Sequence, residues 1–163
     1  MTRFRIITVS GPYGRRDPQR ALVELRCCPS SHQAGAALTA DPGINYVIAL
    51  YDSAEVPFAA AAIRAAGRTG RVKVSTFNGT PEILKMVKQG DIVTLNVGEN
   101  LEWIGFAIAD QSMRIMGGLK PVKNARVPVR VFDKSNIGQA GPKFTSGWGN
   151  TYVAGYRKMW GLQ

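Results

Sequence analysis

Between residues 45 and 132 the sequence switches repeatedly between short apolar runs rich in β-branched residues and segments with helical spacing. Few folds tolerate that rhythm. Strands alternating with helices across short connections build a mainly parallel sheet, because a parallel partner is reached only through a crossover, most often a helix. The first run, "NYVIALYD" (45–52), is apolar on both of its alternating faces, as in a strand covered on both sides. "SAEVPFAAAAIRAAG" follows, with Ser53 placed to cap a helix, Pro57 in its first turn and Gly67 at its end.

"RVKVSTF" (71–77) predicts a second strand, and the next four residues raise the main question of the sequence. Asn78-Gly79 is the preferred pair for a β-hairpin turn. Yet "EILKMVKQG" does not alternate like a returning strand. Its spacing puts Ile83, Leu84, Met86 and Val87 on one side of a helix, with Thr80 as cap, Pro81 at the first helical position and Gly90 as the stop. Asn78-Gly79 is therefore read as a strand-to-helix turn. A third strand is predicted at 91–97, a long helix at 100–118, a fourth strand at 126–132 in the same parallel sheet, and a terminal helix at 151–161.

The resulting expectation is an α/β protein with a mainly parallel, Rossmann-like (flavodoxin-like) three-layer sheet. In such sheets ligands bind beyond the carboxyl ends of the strands. That rule gathers Tyr51, Asp52, Asn78, Gly79, Gly98, Glu99 and Asn100 on one rim. The rim offers hydrogen-bonding groups but no nucleophile paired with a base, which suits a polyhydroxy ligand better than catalysis. The glycine-containing "GRTGR" (67–71) lies between a helix and the following strand, the wrong order for a phosphate cradle.

Composition narrows the classes further. The 163 residues fit one domain, and the charge is +10, from 21 basic and 11 acidic residues. Six arginines fall in residues 1–35 and nine basic residues in 114–163, but they are scattered singly, without a basic run or interleaved aromatic stripe. This spacing reads as a solvated basic surface and argues against nucleic acid as a partner. No apolar run approaches the ~20 residues of a membrane span, and the apolar stretch near the N-terminus is too short for a secretory leader. Cys27, Cys28 and His32 form a cluster without a fourth ligand or zinc-like spacing, so no metal site and no cofactor is expected. His32 is the single histidine. Residues 1–33 have little periodicity; "FRIITV" is expected to add an edge strand, and residues 11–33 to be loosely packed.

The strings "DPGINYVIALYDSAEVPFAAAAIRAAG" and "VKVSTFNGTPEILKMVKQGDIVTLNVGENLEWIGFAIADQSMRIMGGLKP" resemble the C-terminal lobe of the sugar-binding, ribose-type (type I periplasmic) substrate-binding proteins of ABC transporters. The resemblance runs from about residue 34 to the end. It implies a single lobe of the type I periplasmic-binding-protein fold at 34–163, preceded by a poorly patterned segment at 1–33. It also implies a sugar or related polyol as ligand, a membrane permease as partner, and a periplasmic or extracytoplasmic location, although no leader is evident. Where the family has an Asn-Asp pair, this sequence has Tyr51-Asp52. Asn78 stands for the turn Asp, and Glu99 for a Gln near the hinge. Asn100 adjoins Glu99, and Trp103 is a candidate stacking platform for a sugar ring.

Family members close two lobes over the sugar. This chain corresponds to one of them, so weak affinity is expected, with either a homodimer or a complex with the missing N-terminal lobe covering an apolar rim near Trp103, Phe106 and Trp148. Two other readings remain open from the sequence: a sugar-sensing domain of a transcription regulator, and a truncated lobe with a structural or interaction role.

Overall fold

The computed structural model describes residues 6–9, 23–25, 31–143 and 145–162, with side chains from residue 34 onward. In chain order the elements are β1 (Ile6–Val9), β2 (Val23–Leu25), α1 (Ser31–Ala40), β3 (Tyr46–Ala49), α2 (Asp52–Ala65), β4 (Lys73–Asn78), α3 (Pro81–Gln89), β5 (Val93–Glu99), α4 (Leu101–Met116), β6 (Val129–Asp133) and α5 (Thr151–Met159), with a short 3-10 turn at Ile137–Gln139. The six strands form one open sheet in the order β2-β1-β3-β4-β5-β6. All neighbours are parallel except β5 and β6.

Three expectations need correction. The fourth predicted strand, β6, runs antiparallel, pairing Val97 with Val131 and Glu99 with Val129. The chain leaves β5 through α4 and a loop and comes back in the opposite direction. The "FRIITV" strand is interior, not an edge: β1 lies between β2 and β3 in full parallel register with Tyr46–Ala49. The sheet therefore takes in residues 6–9 and 23–25, well before residue 34. Within the segment expected to be loose, residues 23–25 pair with β1 and residues 31–33 open α1. The remainder of that expectation (11–22 and 26–30) falls outside the described residues. β2 and α1 escaped notice because three residues are too short for alternation to register, and "HQAGAALTA" is too Ala- and Gly-rich to show an apolar stripe.

α1, α2 and α3 pack side by side, α2 over β3 and β4 and α3 over β5 and β6. Val47, Ala49, Val74 and Phe132 point into the main core, where they meet Val56, Ala60 and Ile63 of α2 and Ile83, Leu84 and Val87 of α3. Helix α2 begins two residues earlier than Ser53 as a cap would require, with Tyr51 at the cap position and Pro57 in the second turn. Arg68 explains the "GRTGR" stretch: its guanidinium donates to the carbonyls of Leu38 (3.1 Å), Pro42 (2.7 Å) and Ile44, tying the loop after α1 to the end of α2.

The Asn78-Gly79 turn works as its sequence context predicted. Both residues have positive φ, 121° and 77°, which Asn tolerates better than most residues and Gly adopts freely. Gly79 is also required by space. A Cβ there would lie 2.9 Å from the Cα of Gly98 on the neighbouring strand, and a Cβ on Gly98 would lie 2.6 Å from the Phe132 ring. The ends of β4, β5 and β6 thus approach closely through two glycines and one aromatic. Gly79→Ala is expected to destabilise the fold by about 1–3 kcal/mol, from backbone strain and overpacking. Urea unfolding checks this; an unchanged midpoint would contradict the packing described.

Candidate functional site

The carboxyl ends of β3, β4 and β5 converge on one buried side chain, Asp52, at the start of α2. It is 0% exposed. Its Oδ1 accepts hydrogen bonds from Thr76 Oγ1 (2.7 Å) and Asn96 Nδ2 (2.9 Å). Its Oδ2 accepts from the Thr80 backbone N–H (2.7 Å), Thr80 Oγ1 (3.0 Å) and Asn96 Nδ2 (3.0 Å). One carboxyl group therefore joins α2, β4, the Asn78-Gly79-Thr80 turn and β5. Thr80 occupies the cap position of α3, yet its hydroxyl makes no capping bond there and donates to Asp52 instead.

Sequence reasoning missed Thr76 and Asn96. The signal was a polar side chain at a buried register position in an otherwise apolar strand: Thr76 two residues after Val74, and Asn96 in "DIVTLNV".

Above this network lies the rim itself. Asn78 Nδ2 donates to Glu99 Oε1 at 3.2 Å, bridging the ends of β4 and β5. The Oδ1 atoms of Asn78 and Asn96 are buried and find no hydrogen-bond donor among the described residues. Burial raises the Glu99 carboxyl above its ordinary value. Tyr51, 57% exposed, stands at the end of β3. Next to it Glu55 accepts the Leu50 N–H at 2.6 Å, and its carboxyl is also raised by burial, against the lowering effect of the Leu50 and Tyr51 backbone.

The remaining predicted site residues are spoken for by α4. Asn100 is fully buried and caps α4, its Oδ1 accepting the Trp103 N–H at 3.0 Å. Trp103 is stacked on Tyr152 of α5, with ring centroids 4.7 Å apart and planes 13° from parallel. Together with Phe106, Tyr156 and Trp160 it forms a second, aromatic core between α4 and α5. Trp148 packs edge-on against Phe132. The apolar rim expected at Trp103, Phe106 and Trp148 is thus largely consumed internally. Of the six predicted site residues, the structure brings Tyr51, Asn78 and Glu99 to the rim, places Asp52 and Asn100 beneath it, and turns Trp103 towards α5.

Among the described residues no cluster of His, Cys, Asp and Glu is arranged to hold a metal ion, and no helix is long and apolar enough to cross a membrane.

No family model matches the chain, and neither does any curated protein. Solved structures do. A sugar ABC transport substrate-binding protein from Bordetella parapertussis is 23% identical, with a TM-score of 0.66 over 90% of this chain and 56% of its own. A protein from Mycobacterium smegmatis in complex with β-D-fucofuranose is 19% identical, with a TM-score of 0.69 over 94% of this chain and 56% of its own. A periplasmic solute-binding protein of an ABC transporter from Actinobacillus succinogenes, with bound D-allose, is 19% identical, with a TM-score of 0.65 over 83% and 54%. The chain has the fold of these sugar ABC transporter substrate-binding proteins, an open, mainly parallel sheet flanked by helices, and spans about half of their length.

Asp52→Ala would leave four donor groups without their acceptor, at a cost on the order of 3–5 kcal/mol. Asp52→Asn is expected to be milder, because its remaining oxygen can still accept from Thr80 while its NH2 meets the Thr76 hydroxyl and, once the Asn96 amide flips, the otherwise unpartnered Asn96 Oδ1. Chemical denaturation of both variants checks this; an Asn variant as damaged as the Ala variant would contradict it. Glu99→Gln keeps an acceptor for Asn78 while removing a partly buried charge. Since the folded carboxyl is raised, the neutral form favours folding, and the cost of the charge grows as pH rises through the carboxylate range. The variant should melt higher than the parent at neutral pH, with the gap closing near pH 4.

Proposed function

We propose that the chain is a sugar-binding lobe of an ABC importer's substrate-binding protein, taking a polyhydroxy ligand at the carboxyl edge of β3, β4 and β5 without chemical turnover. The observation that carries this reading is the Asn78–Glu99 pair on the rim, fixed from below by Asp52 and set in the fold that holds fucofuranose and allose in its structural neighbours. A sugar hydroxyl both donates and accepts, and a carboxylate beside an amide answers both needs.

In this reading Tyr51, Asn78 and Glu99 touch the ligand. Asp52 and Asn100 hold the rim in place, and Trp103 supports α4. Among the described residues Glu99 is paired with Asn78 rather than with a nucleophile, which supports a site that binds and releases. The assignment carries with it an extracytoplasmic location and a membrane permease as the receiving partner. In the domain division that follows, residues 34–163 supply the ligand-binding part of the lobe, and the strands before them complete its sheet.

The chain spans about half of its neighbours' length, and in this reading it supplies one wall of the site. Affinity for a free sugar should accordingly be weak. Calorimetric titration with a panel of pentoses and hexoses, in furanose- and pyranose-forming series, tests the proposal. Saturable heat that falls at least about tenfold in affinity in Asn78→Ala and Tyr51→Ala, with melting temperatures preserved, supports it. Binding untouched by both substitutions, or no binding to any sugar at millimolar protein, overturns it.

A further inference from the structure

Helices α4 and α5 run parallel. Along the inner face of α4, Trp103 stacks on Tyr152, Phe106 on Tyr156 and Trp160, and Asp110 accepts the Trp160 indole N–H at 3.1 Å, so the partners advance together. The two carboxyl ends therefore finish side by side, where Arg114 Nη2 reaches Met159 Sδ at 3.8 Å. They also finish alike. "RIMGGL" (114–119) and "RKMWGL" (157–162) share the spacing Arg-x-Met-x-Gly-Leu. Gly118 and Gly161 both take a φ of 71°, and the leucine N–H donates back to the arginine carbonyl at 2.8 Å, from Leu119 to Arg114 and from Leu162 to Arg157. In such caps the residue past the glycine frequently finds an apolar partner on the last turn. Here arginine stands at the position it bonds, and the leucines stay largely outside. Leu119 is 61% and Leu162 53% exposed, with Met116 at 79% and Met159 at 54%.

The charge beside these prongs has one sign. The sequence holds no acidic residue between Asp110 and Asp133 and none after Asp133, and Asp110 is itself paired with Arg114 at 2.7 Å. Lys120 directly follows Leu119, Lys158 directly precedes Met159, and both are exposed. The backbone suits the same surroundings. A helix end normally presents unpaired carbonyls, which are costly against hydrocarbon. Here the carbonyls of Met113, Arg114 and Ile115 accept from Gly117, Leu119 and Gly118, and those of Tyr156, Arg157 and Lys158 from Trp160, Leu162 and Gly161. Exposed apolar prongs, lysines next to them and closed carbonyls match a layer of anionic head groups over hydrocarbon. A nucleic-acid backbone would answer the lysines but leave the leucines and methionines in water. We propose that the paired carboxyl ends of α4 and α5 form a docking tip for an anionic membrane surface, with Met116, Leu119, Met159 and Leu162 entering the head-group layer and Lys120 and Lys158 meeting lipid phosphates. This docking tip does not depend on the sugar-binding reading.

Co-sedimentation of the full chain with phosphatidylcholine vesicles, with and without phosphatidylglycerol, tests this. Binding should require phosphatidylglycerol and weaken as salt is raised. Leu119→Ser with Leu162→Ser, which leaves the charge unchanged, should lower the affinity at least about tenfold. Lys120→Glu with Lys158→Glu should lower it as much. Lys85→Glu with Lys88→Glu, an equal change of charge on α3, should cost less than about threefold, because those lysines lie off the tip. Every substituted side chain is exposed, so circular dichroism and melting curves should match the parent's. A bimane label on Met116→Cys, in a Cys27→Ser, Cys28→Ser background, reads insertion directly: nitroxide-bearing lipid in the vesicles should quench it. No binding to anionic vesicles overturns the proposal, even where the tip takes up an acidic protein instead. Binding that the α3 pair weakens as much as the tip pair, the mark of net charge alone, also overturns it, as does a Met116 label that the lipid-borne quencher does not reach.

Discussion

The rim of this sheet depends on a carboxyl group that no solvent reaches. Asp52 begins a helix, and the backbone that positions it comes straight off β3; its five hydrogen bonds end on β4, on the turn before α3 and on β5. Three parallel strands give no guarantee that their ends will be level, since the sheet hydrogen bonds fix register only within the ladder. Here the ladder even slips: Val74 faces Val93 but Ser75 faces Leu95, which leaves Thr94 of β5 as an extra residue. The Asp52 network sets the ends relative to one another beyond the slip. A buried acceptor met by directional donors is worth more for specificity of arrangement than for net stability, because its desolvation offsets much of its gain.

What was legible in the sequence divides along physical lines. The alternation of "NYVIALYD", "VKVSTFN" and "DIVTLNV" with helical segments was readable because each element buries a face of its own, and burial leaves a period in the sequence. The direction of β6 was not readable. "RVPVRVF" looks the same whether it pairs parallel or antiparallel, since the period of a strand carries no sense of direction. The interior place of β1 was hidden for a related reason: an edge and a central strand of four residues differ in what lies beside them, which no local pattern records. For the site, the rim residues were legible as polar groups directly following strands. Their division into exposed Tyr51, half-buried Asn78 and buried Asp52 was not, because it depends on Thr76 and Asn96, which come from two other strands and meet Asp52 only when the sheet is assembled.

Trp103 shows the same limit from the other side. A tryptophan near a sugar-binding rim invites a stacking role, but the ring lies flat against Tyr152, a residue almost fifty positions later. The long helix reading was correct in place and length, yet the choice of face was made by α5. An aromatic ring takes the larger apolar surface offered to it. The cluster of Phe106, Tyr152, Tyr156 and Trp160 offers more than the polar rim does.

α4 is consequently the element that ties the rim to the aromatic core. Its first residues are capped by Asn100, directly after Glu99 of the rim, so the helix axis and the position of the Glu99 carboxyl are set together. The inner face is fastened to α5 by aromatic stacking and by Asp110, whose carboxyl Arg114 and Trp160 hold below its usual range, while burial opposes them. The Glu99 carboxyl, which accepts from Asn78 across the ends of β5 and β4, is thus one residue away from a helix fastened to the aromatic core.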